Sequence, residues 1–60
     1  MAADIVVSGY TGPQLYKELI KFGRNKFGGV GIARTFLHLD IGPTRTWFYD
    51  GVTVNDVDSV

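Results

Sequence analysis

Residues 34–49 read RTFLHLDIGPTRTWFY, two runs of apolar, β-branched and aromatic residues separated by Gly42, Pro43 and Thr44. Such runs on either side of a Gly-Pro break are typical of two antiparallel strands joined by a tight turn. We therefore predict a β-hairpin in this stretch and expect the remaining elements to pack around it.

The first strand of this hairpin has two chemically different faces, because successive side chains of a strand point to opposite sides of the sheet. One face is aliphatic and predicts core: Leu37, Leu39 and Ile41. The other face is mixed: Phe36, His38 and Asp40. A histidine and a carboxylate are costly to bury without partners. The mixed face is expected either to meet water or to line a site.

A helix is predicted upstream of the hairpin. The segment Thr11 to Gln14 has the spacing of a capping box, with Pro13 in the first turn, where proline is tolerated. Apolar residues then recur at the spacing of one helix face: Leu15, Leu19 and Phe22. Gly23 follows where a C-terminal cap is expected. One helix with a single apolar stripe should therefore pack across the sheet.

Two further strands are predicted, one near each end of this helix. Residues 2–7 end in Ile-Val-Val and are consistent with a buried strand. The glycine-rich residues 28–31 lead into a short strand around Val30 and Ile32. Because a strand follows these glycines, a turn with close backbone approach is favoured over a phosphate-binding loop. Residues 1–49 are thus predicted to form an α+β domain, one helix on a small, mainly antiparallel sheet. Residues 50–60 are predicted to be a C-terminal tail, with a short edge strand as the alternative.

Length, charge and composition exclude several classes of protein. A chain of 60 residues forms at most one domain with a small core, which a bound metal or self-association would strengthen. The absence of cysteine excludes disulfides and thiolate metal sites. Six basic and six acidic residues cancel, which argues against a nucleic-acid partner bound through charge. Neither a bilayer-spanning run nor a secretion signal is recognised, so no membrane partner is expected.

Four short motifs together indicate a family: AADI at 2–5, GGVG at 28–31, FLHLD at 36–40 and RTW at 45–47. In this order and spacing they resemble the C-terminal half of the zinc D-alanyl-D-alanine carboxypeptidase family. These small cell-wall metallopeptidases share their fold with phage endolysin peptidases and the hedgehog signalling domain. The resemblance implies a zinc hydrolase acting on peptidoglycan stem peptides, with a partial carboxypeptidase or hedgehog-like fold.

The resemblance also implies two zinc ligands in this chain. The family signature Ser-x-His-x-x-Gly-x-Ala-x-Asp-Ile is followed, some tens of residues later, by a strand of the form Phe-Val-His-Val-Asp. Carried over by position, Asp4 and His38 correspond to two of the three zinc ligands. Two ligands of one ion must meet in space, so these side chains are expected to converge from separate strands. For Asp40 we predict a supporting role, orienting a ligand histidine or pairing with Arg45.

Three features of the family pattern are missing or ambiguous. The first ligand histidine would lie seven positions before Asp4, ahead of Met1, whereas a catalytic zinc site normally takes three protein ligands. The acid that some relatives carry three residues before the last histidine is replaced by Thr35. Trp47 has a packing interpretation, which is favoured, and a substrate-wall interpretation.

The sequence favours two functions over a third, small-ligand or nucleic-acid binding, which only the basic residues in the middle of the chain support. One is a zinc peptidase, inactive as the isolated chain, that is completed by a segment from elsewhere. The other is a non-catalytic remnant of that fold that keeps the helix and sheet. An exposed sheet edge in such a remnant would favour pairing with another copy, forming a homo-oligomer.

Overall fold

The computed structural model describes residues 1–60, which form a four-stranded mixed sheet with one long helix packed against it and a short helix packed against the long one. In chain order the elements are β1 (Ala2–Ile5), α1 (Gly12–Phe22), a 3₁₀ turn (Arg24–Lys26), β2 (Gly29–Ile32), β3 (Leu37–Asp40), β4 (Arg45–Phe48) and α2 (Val54–Asp58). The strand order is β1-β3-β2-β4, and two of the three pairings are antiparallel. The predicted α+β class, one main helix on a small and mainly antiparallel sheet, is confirmed. Neither helix has the length and apolar character needed to cross a bilayer.

Helix α1 begins where its capping signal predicts. The Thr11 hydroxyl accepts a hydrogen bond from the Gln14 N–H at 3.2 Å, and the Thr11 N–H donates to the Gln14 side chain at 2.8 Å. The helix ends at Gly23, whose φ of 136° few other residues tolerate. Leu15 and Leu19 enter the core as predicted, but Phe22, the last residue of α1, is 66% exposed.

The predicted hairpin is wrong in its pairing. Strands β3 and β4 run in opposite directions, as expected, but β2 lies between them: it pairs antiparallel with β3 and parallel with β4. The connection from β3 to β4 crosses the start of β2 at Gly28, where a Cβ atom would overlap the Gly42 carbonyl. Arg24 stabilises this arrangement by donating to the Arg45 carbonyl at 3.0 Å and the Thr46 hydroxyl at 2.9 Å.

The central position of β2 follows from its residues. Val30 and Ile32 are fully buried on the face that meets α1. The alternating Gly29 and Gly31 carry no side chains on the other face, so neighbouring side chains can lie directly over this strand. A strand with apolar side chains on one face and only glycines on the other fits best in the middle of a sheet, where neighbouring strands on both sides cover it.

The prediction of a buried first strand is corrected. β1 lies at the sheet edge, pairs only with β3, and all four of its residues are exposed. It ends at Ile5, and Val6 beyond it is 71% exposed. The β-branched composition of residues 5–7 predicts a strand correctly but says nothing about burial. Burial requires a covering layer, and α1 packs over β2 and β3 instead.

The predicted C-terminal tail is also corrected, because the segment is folded and contributes to the core. Residues 54–58 form α2, whose capping box joins Thr53 and Asp56. Val52 and Val57 are each 7% exposed. They complete one apolar cluster with side chains from α1, β2 and β3: Leu15, Leu19, Val30, Ile32 and Leu37. The spacing of Val52 and Val57 is too short a pattern to be recognised as a helix face without knowing what it packs against.

Candidate metal and hydrogen-bonding site

The sheet face opposite the core brings Asp4 and His38 together. They are direct cross-strand partners in β1 and β3, so their side chains leave the sheet side by side. Asp4 Oδ1 lies 2.9 Å from His38 Nδ1, and the two groups form a hydrogen-bonded pair. The Asp4 side chain is 58% exposed and that of His38 21%, so the pair opens to solvent on the Asp4 side. The expected convergence of these two residues is thus present in the fold.

Asp40 binds the opposite nitrogen of the histidine. Its Oδ2 lies 3.0 Å from His38 Nε2 and 2.8 Å from Arg45 Nη2. The backbone N–H groups of Gly29 and Gly42 donate to its Oδ1 at 3.0 and 2.9 Å. Asp40 thus contacts both residues named in its predicted supporting role, His38 and Arg45. The imidazole is therefore held between two carboxylates, one exposed and one enclosed.

The hydrogen bonds of Asp40 strongly stabilise its charged form. The Gly42 N–H, followed by His38 and Arg45, holds the pKa of this carboxyl well below its ordinary value, against the opposing effect of burial. The hydrogen bond to Asp4, followed by that to Asp40, raises the pKa of His38 above its ordinary value of 6.5. The folded chain without metal therefore favours an imidazolium between two carboxylates.

These opposite shifts predict a stability maximum in mildly acidic solution. Because the pKa of His38 is raised on folding, its contribution is complete below pH 6.5 and is lost as the pH rises through the folded value. Because the pKa of Asp40 is lowered, its contribution is complete above pH 3.8 and is lost as the pH falls. Thermal unfolding in chelator should give the highest Tm between these limits. A His38→Gln chain should lose the decline on the alkaline side; an unchanged decline would assign it to another group.

Trp47 is positioned on this face by the missing side chain of Gly31. Asp4, His38, Gly31 and Trp47 form one row across the four strands. A Cβ at Gly31 would lie 2.6 Å from the indole, so the ring occupies the space above this glycine. The indole centroid is 5.3 Å from the His38 ring, and the Arg45 guanidinium lies 4.9 Å from it. These contacts support the packing interpretation of Trp47, whose indole lies against the His38 imidazole.

Sequence reasoning missed the part that the two glycines of β2 play in this site. Gly29 lies beneath the Asp40 carboxylate and the Arg45 guanidinium, just as Gly31 lies beneath the indole. The signal that could have revealed this was their spacing of two within a strand, which places both on one face. Thr35, the residue that replaces the acid of some family members, is exposed in the turn between β2 and β3 and has no partner in the site.

The donor set fits two positions of a zinc site. A carboxylate oxygen and an imidazole nitrogen that bind one tetrahedral zinc at about 2.0–2.2 Å lie roughly 3–3.5 Å apart. The observed 2.9 Å between Asp4 Oδ1 and His38 Nδ1 needs only a small adjustment to meet this spacing. No group of three or more His, Cys, Asp or Glu side chains in the chain has metal-binding geometry, so a third ligand is not supplied here. No protein-family model, curated protein or solved structure matches this chain.

Proposed function

We propose that this chain carries part of the metal site of a zinc peptidase that acts on peptidoglycan stem peptides, similar to the D-alanyl-D-alanine carboxypeptidases. Asp4 and His38 would be two of the zinc ligands. The observation that carries the proposal is their 2.9 Å approach from separate strands, with the remaining histidine nitrogen bound to Asp40. The motifs AADI and FLHLD, in the order found in that family, also support it.

The orientation of His38 favours metal binding through Nδ1. Metal-binding histidines usually donate their other ring N–H to a carboxylate, which selects the tautomer and holds the ring. Donation of the Nε2 hydrogen to Asp40 would leave the Nδ1 lone pair directed toward Asp4. Arg45 and two backbone N–H groups keep Asp40 charged and in place for this role. When bound, zinc would acidify a water molecule and polarise a peptide carbonyl.

The isolated chain should not hydrolyse peptides. Three protein ligands are usual for a catalytic zinc, and this chain supplies two. A third donor must come from another polypeptide segment that reaches the exposed side of Asp4. The alternative function, a non-catalytic module of the same fold that self-associates, is favoured by the lack of a third donor near the Asp4 and His38 pair.

Zinc titration of the purified chain tests the ligand assignment. Binding should saturate at one zinc per pair of Asp4 and His38 and weaken by about tenfold or more in Asp4→Asn and in His38→Ala. Asp40→Asn should weaken it by about 10–100-fold, because the histidine loses its orienting partner. Asp58→Asn, which changes an exposed acid outside the site, is the matched control and should bind as the parent does.

Two outcomes of the titration would contradict the ligand assignment. Zinc binding that persists in both Asp4→Asn and His38→Ala would place the metal elsewhere, and an absence of binding would remove the site altogether. Hydrolysis of a D-Ala-D-Ala peptide by the isolated chain, lost on chelation, would show that two protein ligands suffice. That outcome would overturn the need for a third donor.

A further inference from the structure

One side of the molecule combines an open sheet edge with an apolar groove. β1 is hydrogen-bonded only to β3, so its outer edge carries unpaired backbone groups. Beside it, on the core face of the sheet, two adjoining depressions share Ile5, Phe27 and Leu39 in their walls. One extends under α1 to Phe22, and the other extends along β1 to Met1. The groove is thus a continuation of the core that α1 leaves uncovered.

The exposed surface along this side is largely apolar. Met1 is 94% exposed, Ile5 38%, Phe22 66% and Ile41 67%. The acidic residues in the walls of the groove are Glu18 and Asp40, and the Asp40 side chain lies on the opposite face of the sheet, bound to His38 and Arg45. Neighbouring exposed apolar side chains of this kind are typical of protein interaction sites. A covering partner would bury these side chains and satisfy the edge of β1.

We propose that a second copy of this chain covers this side, with the β1 strands of the two copies pairing antiparallel about a two-fold axis. Nothing in residues 2–7 protects the edge, since the segment has no lysine, no proline and only one charged residue. Because the net charge is zero, two copies do not repel each other through their overall charge. The two four-stranded sheets would become one continuous sheet, and each groove would be covered by the other copy.

A stable dimer would have to bury a substantial part of this side of the molecule. A standard interface removes about 800 Å² from each partner, which is about a fifth of the 3932 Å² surface of this chain. The edge strand, both depressions and the exposed side chains beside them lie on that one side. A two-fold axis applies the same patch to itself, so the apolar side chains of one copy would face those of the other.

The faces of the sheet and the charge of Asp4 select the register. The two-fold axis must pass through a residue of β1. An axis between two residues would pair odd-numbered with even-numbered positions, and the groove face of one copy would then adjoin the face of the other copy that carries His38. An axis at Asp4 would oppose two carboxylates. An axis at Ala3 places small side chains opposite each other, and it pairs Met1 of each copy with Ile5 of the other on the groove side. The inference does not depend on zinc, because the pair Asp4 and His38 lies on the opposite face.

A single cysteine at the axis tests this register. The chain has no cysteine, so Ala3→Cys introduces the only thiol. Directly opposed residues of antiparallel strands have Cα atoms about 4.5–5.5 Å apart, within the range that a disulfide bridges. Ala3→Cys should therefore cross-link under mild oxidation at low protein concentration. Ser59→Cys, an exposed site that does not line the groove, should cross-link only as fast as random collision allows.

Sedimentation equilibrium of the full chain tests the association itself. The parent should have twice the 6.6 kDa mass of one copy. Ile5→Lys should weaken association by about tenfold or more by placing a charge in the groove. Ile20→Lys, the same change at a half-exposed isoleucine outside the groove, should leave it intact. A parent chain that sediments as a monomer would overturn the proposal, even if some other molecule covers the groove. The same conclusion would follow if Ala3→Cys cross-linked no faster than Ser59→Cys.

Discussion

Replacing Gly12 by alanine is expected to destabilise the fold by about 3 kcal/mol, although alanine is the better helix former by about 1 kcal/mol. Gly12 is the first residue of α1, and its N–H donates to the Arg34 carbonyl at 2.8 Å. A Cβ atom there would overlap the Ala33 carbonyl and crowd that of Phe36. Backbone atoms cannot turn aside as a side chain can, so α1 would have to move off the sheet.

This loss is large relative to the free energy of unfolding expected for so short a chain. Globular proteins are stable by about 0.05–0.15 kcal/mol per residue, roughly 3–9 kcal/mol for 60 residues. Urea unfolding followed by circular dichroism should show Gly12→Ala partly or wholly unfolded without denaturant. Gly42→Ala is the matched control, because a Cβ there meets only the side chains of Asp40 and Arg45, at 3.2 Å or more. Equal stability of the two variants would show that α1 is not held against the turn after β2.

Ending the chain at Tyr49 is expected to unfold it. This truncation removes Val52 and Val57, which are each 7% exposed and pack with Leu15 and Leu19. Burying a valine side chain contributes about 1.5–3 kcal/mol, so the two together contribute about as much as the whole stability of so small a chain. The apolar surface of α1 and of the core that these two valines cover would then be exposed to water.

The measurement compares the truncated chain with one that lacks only Ser59 and Val60. The shorter deletion leaves both core valines in place and should retain a cooperative thermal transition. The chain ending at Tyr49 should show little helix signal and no cooperative transition. If it melts at the temperature of the parent, residues 50–60 contribute nothing to the core, and the original prediction of a tail would be restored.

Local signals along the chain predicted more of this structure than long-range ones did. The capping box of Thr11 and Gln14 located the start of α1, because each cap depends only on residues three positions apart. The alternation of Leu37 and His38 assigned them to opposite faces of β3 for the same local reason. Strand partners were harder to predict, because pairing depends on residues far apart in sequence. The position of β2 between β3 and β4 depends on Gly28, where the chain crosses.

In the candidate site, too, the sequence predicted some residues and left others to be found from the strand pairing. The motifs around Asp4 and His38 singled out the two residues, and the expectation that they meet agrees with their 2.9 Å separation. Their role as zinc ligands stays a prediction for titration to test. The bare strip formed by Gly29 and Gly31 could not be assigned to this site in advance. Its function depends on which side chains lie above it, and those come from β3 and β4.

The sequence by itself determined local features of this protein: which residues cap the main helix, which alternate in the strands, and which acid and base share the polar face. These follow from the geometry of a few neighbouring residues. Only the tertiary structure decided the strand order, the inclusion of α2 in the core and the exposure of β1. Burial and pairing are properties of surfaces that meet, and the chain brings those surfaces together only when it folds.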